Sequence, residues 1–237
     1  MTSFLSHLHA DLRGSRLTRR GATHDPKDVP LGLHKKYDRM EKITLPDPDH
    51  VGMSLSDALE KRSSYVGGTM EGCLSLQEWG NLLGLALKKR SSSASRNYPS
   101  GGALYPIETY LIGNTLEQRA PAVFHYNPSD HALEKLWDLP SDLNIKELSR
   151  KPENVLFSTL IVFTSVWKRS ASKYGDFTYL LALLEAGHVS QNILLVAAAL
   201  GLSVRPMGEF SDEKISKLLD LDDECEQPVH SITLCRV

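Results

Sequence analysis

Near its middle the chain reads Arg96-Asn97-Tyr98-Pro99-Ser100-Gly101-Gly102-Ala103-Leu104-Tyr105-Pro106, followed by Ile107-Glu108. Two adjacent glycines between two prolines make a fixed turn, and a turn without Cβ atoms lets its backbone approach a planar ligand closely. Ser100 adds a hydroxyl and Arg96 a charge. A turn that only reverses the chain needs none of these together.

Outward from this turn the chain changes character. Downstream, apolar and β-branched runs predict strands over 108–113, 122–126, 132–137 and 155–167. A long apolar helix follows over 176–200, apolar on nearly all sides from Ile193 and therefore expected to be buried, with Gly201 as a left-handed cap. A strand over 203–206, an acidic helix over 211–219 and a last strand over 228–237 complete the chain. Upstream, Ser54 or Ser56 caps a short helix ending near Lys61-Arg62. Ser75 caps another, in which Leu76, Trp79, Leu82, Leu83 and Ala86 form an apolar stripe. Residues 1–50 are polar and irregular, with four prolines, and read as an arm carrying a short helix at its start over a domain of residues 51–237. Helices and strands are interspersed without a regular βαβ rhythm, which predicts an α+β fold around one sheet rather than a Rossmann fold.

Composition narrows the function. The 237 residues are 41% hydrophobic and 24% charged, within the range of folded domains. Lys+Arg number 27 and Asp+Glu 29, a net charge of −2 that gives no global drive toward nucleic acid. The longest apolar run, 193–200, is far short of the ~18 residues of a membrane span. Three scattered cysteines form no Cys-x-x-Cys pair, and Cys225, His230 and Cys235 lack zinc spacing and a fourth ligand. No metal is expected, and the chain reads as cytoplasmic. Gly-x-Ser-x-Gly, Gly-x-Gly-x-x-Gly, Gly-Lys-Ser/Thr and His-Glu-x-x-His are all absent, so serine-triad acyl transfer, nucleotide hydrolysis and zinc hydrolysis have no support.

Three further elements carry chemistry. Lys61-Arg62-Ser63-Ser64 places two cations and two hydroxyls at a helix end, the groups a phosphate monoester needs. Lys173-Tyr174-Gly175 sets an amine beside a phenol, with the glycine expected to provide a loop in which both act together. Arg205-Pro206-Met207-Gly208-Glu209-Phe210 follows the Gly201 cap. Histidines such as His125 and His188 read as satisfied core or surface groups, and Glu185 as the partner of a cation or the cap of a polar network.

In that order, these elements together with Glu185-Ala186-Gly187-His188-Val189-Ser190-Gln191-Asn192 resemble the nitroreductase-like FMN flavoproteins over about residues 55–237. Pro-Ser-Gly-Gly-Ala-Leu-Tyr-Pro and Lys-Tyr-Gly resemble the azoline dehydrogenase branch, the oxidases of thiazole/oxazole-modified peptide synthetases. The resemblance implies a nitroreductase-like α+β fold with a central mixed β-sheet flanked by helices, and a homodimer with FMN at the interface, the phosphate and ring edge meeting Lys61, Arg62 and Ser63, and Ser100 and Gly101 at the flavin. Pro206, Met207 and Gly208 would lie along the isoalloxazine, Arg236 would meet the phosphate, and Lys173 and Tyr174 would be the catalytic pair. Where the family carries a cation two residues after the serine, this chain has Tyr65, so Arg96 or the run Lys88–Arg90 would substitute, or the register shifts by one. The implied reaction oxidises a peptide thiazoline or oxazoline to the azole, with cyclodehydratase or peptide synthetase subunits as partners. An NAD(P)H-dependent nitroreductase or quinone-type oxidoreductase, and a non-catalytic FMN-binding scaffold, are the alternatives.

Overall fold

The computed structural model describes residues 7, 8, 10, 11, 33–64, 72–93, 95–117, 119–151 and 158–235. Seven strands form one sheet: β1 (Glu41–Thr44), β2 (Ile107–Gly113), β3 (Ala122–Asn127), β4 (Ala132–Asp138), β5 (Thr159–Val166), β6 (Ser203–Met207) and β7 (Glu226–Cys235). Their order is β1-β4-β3-β2-β5-β7-β6, with β1 and β6 at the edges. All six pairings are antiparallel, so the sheet is antiparallel rather than mixed. The helices are α1 (Leu55–Lys61), α2 (Leu76–Leu87), α3 (Lys168–Tyr174), α4 (Thr178–Leu200) and α5 (Asp212–Leu218).

The helix starts follow their capping residues. Ser54 accepts from the Asp57 amide at α1, Ser211 from Lys214 at α5, and Ser75 forms a reciprocal capping box with Glu78 at α2. Gly201, at φ +70°, closes α4 in the left-handed region. Residues 7, 8, 10 and 11 are helical, as expected at the start of the arm. The strand β1 was not expected: it lies within residues 33–50, assigned to the arm, and pairs with β4 in register Glu41 to Lys135.

Both faces of the sheet are covered. On one side α2 and α4 enclose Trp79, Leu82, Leu83, Ile107, Leu111, Ile161, Phe163, Val189 and Ile193. On the other, Phe210, Ile215 and Leu219 pack over Tyr110, Ile112, Leu160 and Val162. Strands β2 and β5 are therefore buried at every position and carry apolar residues on both faces, with the polar Glu108, Thr164 and Ser165 buried among them. By length and apolar composition the helical run Lys168–Leu200 suffices to cross a membrane, yet α4 lays Ala182, Glu185, Ala186, Val189 and Ile193 against this core. Its far side is less covered than the sequence predicted. Leu195, Ala198 and Ala199 are half-buried, because one sheet face covers only one side of a helix, while the half-buried Val196 and Leu200 pack against the core. Tyr179, Leu183 and Leu184 on α4, with Leu55 and Leu59 on α1, are exposed.

A polar network ties these layers together. Glu108, on β2 directly after the turn, is 1% exposed and takes the backbone N–H of Lys35, the guanidinium of Arg169 and Nε2 of His125. His125 Nδ1 faces Glu134 at 2.8 Å, so the ring bridges two carboxylates. Burial alone would lower the His125 pKa, but its hydrogen bonds to Glu108 and Glu134 outweigh this and raise it. Burial would likewise raise Glu108, and the His125 hydrogen bond and the charges of His125, Arg169 and Arg96 bring it well below the carboxylate range. A depressed carboxyl lends stability above its unfolded pKa, and that stability is lost as the pH falls. Glu108→Ala leaves Arg169 and His125 buried without their shared counter-charge. It is expected to cost about 3–5 kcal/mol at neutral pH in chemical denaturation; a cost below about 1 kcal/mol would contradict this account of the network.

Candidate active site

The turn of residues 99–106 is fastened from beneath by α4. The Ser100 hydroxyl donates to Glu185 Oε2 at 2.5 Å and accepts the Tyr105 backbone N–H at 2.9 Å. A Cβ on Gly101 would lie 3.2 Å from Leu181 Cδ1, one turn before Glu185 on the same helix. Burial pushes the Glu185 carboxyl up to about 7, against the opposing pull of Ser100, Arg96, the Ile107 amide and Arg169. Glu185 is thus the cap of a polar network, as its place in an apolar helix suggested.

Lys173 and Tyr174 arrive from the side. They occupy the last turn of α3, not the loop expected from the sequence; Gly175 is the C-cap and its N–H returns to Ala171. Adjacent residues on a helix diverge, yet both side chains reach one spot. A Cβ built on Gly102 would lie 2.6 Å from Tyr174 Oη and 2.9 Å from Lys173 Nζ, with the ammonium 5.3 Å from the centre of the Tyr174 ring. Gly102, at φ +66°, is a position that L side chains rarely adopt, so conformation and space both demand glycine there.

What holds α3 in place is Arg169, which the sequence reading did not single out. Its guanidinium donates to the Tyr105 carbonyl at 3.0 Å and pairs with Glu108. Arg169 and Lys173 are four residues apart and so share a helix face, which was the available signal. One end of that face grips the exit of the turn while the other reaches Gly102.

The remaining expected residues are placed as follows. Lys61 and Ser63 are exposed and Arg62 is half-buried, at the end of α1, which packs on α4. Arg96 is 6% exposed, its guanidinium donating to Tyr98 Oη at 2.5 Å and to the carbonyls of Leu33 and Ile107 and lying 4.7 Å from the Tyr105 ring centre. It braces the turn from within. Lys88 pairs with Asp47 at 2.5 Å, and Arg90 Nε donates to Asn97 at 3.3 Å. Pro206 and Met207 end β6, an edge strand where a residue without N–H is tolerated. The Met207 carbonyl accepts from Ser231 at 2.8 Å. Gly208 lines a cleft of about 620 Å³ with Trp167, Tyr179, Leu183, Phe210 and His230. Gly102, Lys173 and Tyr174 do not line that cleft, so within one chain the turn with the Lys-Tyr pair and the Gly208 cleft are distinct neighbourhoods. Tyr65 and Arg236 lie outside the described residues.

Gly102→Ala is expected to push Lys173 and Tyr174 off the turn. Its cost in thermal or chemical denaturation should be about 1–3 kcal/mol, from positive φ and the lost approach together. A variant as stable as wild type, with the Tyr174 ring environment unchanged by NMR, would contradict the geometry.

Comparisons with known proteins agree with this architecture. The protein MJ1384 of Methanocaldococcus jannaschii, whose name marks it as a candidate nitroreductase, is 28% identical over 187 residues, covering 78% of this chain and 92% of its own. The microcin B17-processing protein McbC of Escherichia coli is 29% identical over 211 residues, covering 85% of this chain and 78% of its own. The E. coli microcin synthetase McbBCD complex, solved with truncated pro-MccB17 bound, matches the fold with a TM-score of 0.64 at 24% identity, over 98% of this chain and 91% of that one. The sequence profile of the Nitroreductase family matches residues 76–235, and the chain belongs to that family.

Proposed function

We propose that the protein is an FMN-dependent azoline dehydrogenase, converting thiazoline or oxazoline rings of a peptide to thiazole or oxazole. The observation that carries this reading is the convergence of Lys173 Nζ and Tyr174 Oη on Gly102, which brings two proton-transfer groups to the glycine turn. Family membership supports oxidoreductase chemistry. The relation to McbC, and the fold shared with the McbBCD complex, support a peptide substrate and synthetase subunits as partners.

The residues present suit a flavin. The absence of side chains at Gly101 and Gly102 lets Leu181, Lys173 and Tyr174 come up against the turn's backbone, and a Cβ on Gly208 would meet nothing within 4 Å, so the backbone there is open to a ligand. Lys61, Arg62 and Ser63 would hold the phosphate, with Arg236 as a further cation. Bound FMN would supply the two-electron acceptor for the hydride leaving the azoline. The chain supplies the rest. The proton on the ring carbon α to the carbonyl is acidified by that carbonyl and the adjacent C=N, and Lys173 as the free amine, or Tyr174 as the phenolate, would take it. Arg169 holds both groups at the turn while this happens.

A second copy of the chain would complete the site. The two neighbourhoods found within one chain are those the resemblance joins at a single flavin. The exposed apolar residues Leu55, Leu59, Tyr179, Leu183 and Leu184 on α1 and α4 suit burial against that copy. The likeness to MJ1384 favours a second reading, an oxidoreductase that reduces nitro or quinone compounds with NAD(P)H.

Lys173→Ala and Tyr174→Ala should each fold and keep bound FMN, yet lose azole formation by about 10²-fold or more. The assay is the loss of ~2 Da per ring from an azoline peptide, the mass of the two hydrogens removed. Near-normal turnover in both variants, with FMN content unchanged, would assign the base to another residue. Steady NAD(P)H consumption with a quinone, and no azole, would favour the second reading.

A further inference from the structure

Glu185 is a buried carboxyl that the proposed proton transfer does not use. It is 2% exposed on the sheet-facing side of α4; Oε2 accepts the Ser100 hydroxyl, while Oε1 makes no well-formed hydrogen bond among the described residues and the carboxyl feels only a weaker pull from the Ile107 amide. A serine hydroxyl has one proton to give and can accept on its oxygen. The Ser100 oxygen already accepts the Tyr105 N–H, and its single proton points to Glu185. An ionised Glu185 therefore holds that proton away from anything lying on the turn. A protonated Glu185 can donate instead. The Ser100 oxygen then accepts from both Glu185 and Tyr105, and its own O–H is released toward the half-exposed face of the turn.

We propose that Glu185 and Ser100 form a proton-coupled donor switch: a protonated Glu185 lets Ser100 offer its O–H to an acceptor held over Gly101 and Gly102, and an ionised Glu185 withdraws it. With FMN as that ligand, the inference rests on the flavin reading given above. The step moves one proton onto Glu185 from solvent and turns one hydrogen bond around; no other bond changes.

Burial favours the protonated form of Glu185, and the polar groups facing it pull the other way. Arg96 and Tyr98 act on it from the segment before the turn, Ser100 from within it and Arg169 from α3, while His188 on α4 itself is exposed. Neither arginine cancels the effect of burial, and the carboxyl is held up to about 7. The sign follows. Below that value Glu185 is an acid and the Ser100 donor is available; as the pH rises through it, the donor is lost. A ligand that accepts from Ser100 binds the protonated form better and holds the proton on Glu185 in return.

The test is the affinity of the full chain, stripped of flavin, for added FMN. Flavin fluorescence is measured at about pH 6 and about pH 8.5, on either side of the Glu185 transition. Wild type should bind about tenfold more weakly at the higher pH, the worth of one hydrogen bond. Glu185→Gln presents a permanent N–H donor to Ser100 and should bind at both pH values as wild type does at the lower one. Ser100→Ala should bind weakly at both. Titration of the FMN phosphate is common to all three and cancels in their ratios. A Glu185→Gln variant that keeps the full pH dependence of wild type, or a wild type that shows none beyond the phosphate, overturns the switch. The flavin-free protein gives a readout independent of FMN. The infrared difference between wild type and Glu185→Gln should show a protonated carboxyl band at the lower pH that disappears at the higher one. Absence of that band overturns the switch. Failure of all three proteins to bind FMN at either pH instead overturns the flavin reading, and with it the ligand assigned here.

Discussion

Glu108 is the constraint on which the site depends. A single buried carboxylate receives the Lys35 amide, the Arg169 guanidinium and the His125 ring, drawn from the segment before β1, from α3 and from β3. Its position on β2, two residues after Pro106, means that the exit of the glycine turn is pinned to the sheet. Through Arg169 the same carboxylate pins α3, and hence Lys173 and Tyr174, to that exit. Burying such charges is expensive, and they persist only because each is matched. The network gives the turn and the Lys-Tyr pair one shared anchor. That is how two short segments about seventy residues apart in the chain keep their approach at Gly102.

From the other side, α4 sets the floor of the turn. Leu181 lies under Gly101 and Glu185 holds Ser100, so the backbone that would carry a ligand rests on a helix rather than on other loops. Helix-borne support gives finer placement than loop support. The opposite face of the same helix is apolar and exposed at Leu183 and Leu184. One element thus serves core, site floor and the surface proposed for a second copy, which explains why it is apolar enough to satisfy the length and composition of a membrane span.

Much of this was legible in the sequence, and the rest was hidden for identifiable reasons. Ser75 and the apolar stripe after it announced α2 because both are local signals; the reciprocal bond from Glu78 is added by the structure. Strands β2 and β5 showed as apolar and β-branched runs because both of their faces are buried. Strand β1 did not show, since Glu41-Lys42-Ile43-Thr44 is an edge strand with one apolar residue. Helix α3 was missed for a similar reason: Lys168–Tyr174 is short and polar and buries Arg169 and Ser170 rather than an apolar stripe. Strand direction leaves no mark in a strand's own residues, so a mixed sheet was expected where an antiparallel one is found. The chemistry of Lys173, Tyr174 and the glycine turn could be read from residue types. Their meeting at Gly102 could not, because it depends on Arg169 and Glu108 finding each other across 61 residues.

The central claim is that the glycine turn, the Lys173–Tyr174 pair and the Gly208 cleft belong to one flavin site. A crystal structure of the FMN-loaded protein tests it most directly. The account predicts the isoalloxazine against Gly101 and Gly102, with Lys173 Nζ and Tyr174 Oη beside its reactive face and Gly208 of the same or a second copy along the ring. A flavin bound in contact with neither Gly102 nor the Lys173–Tyr174 pair would contradict it.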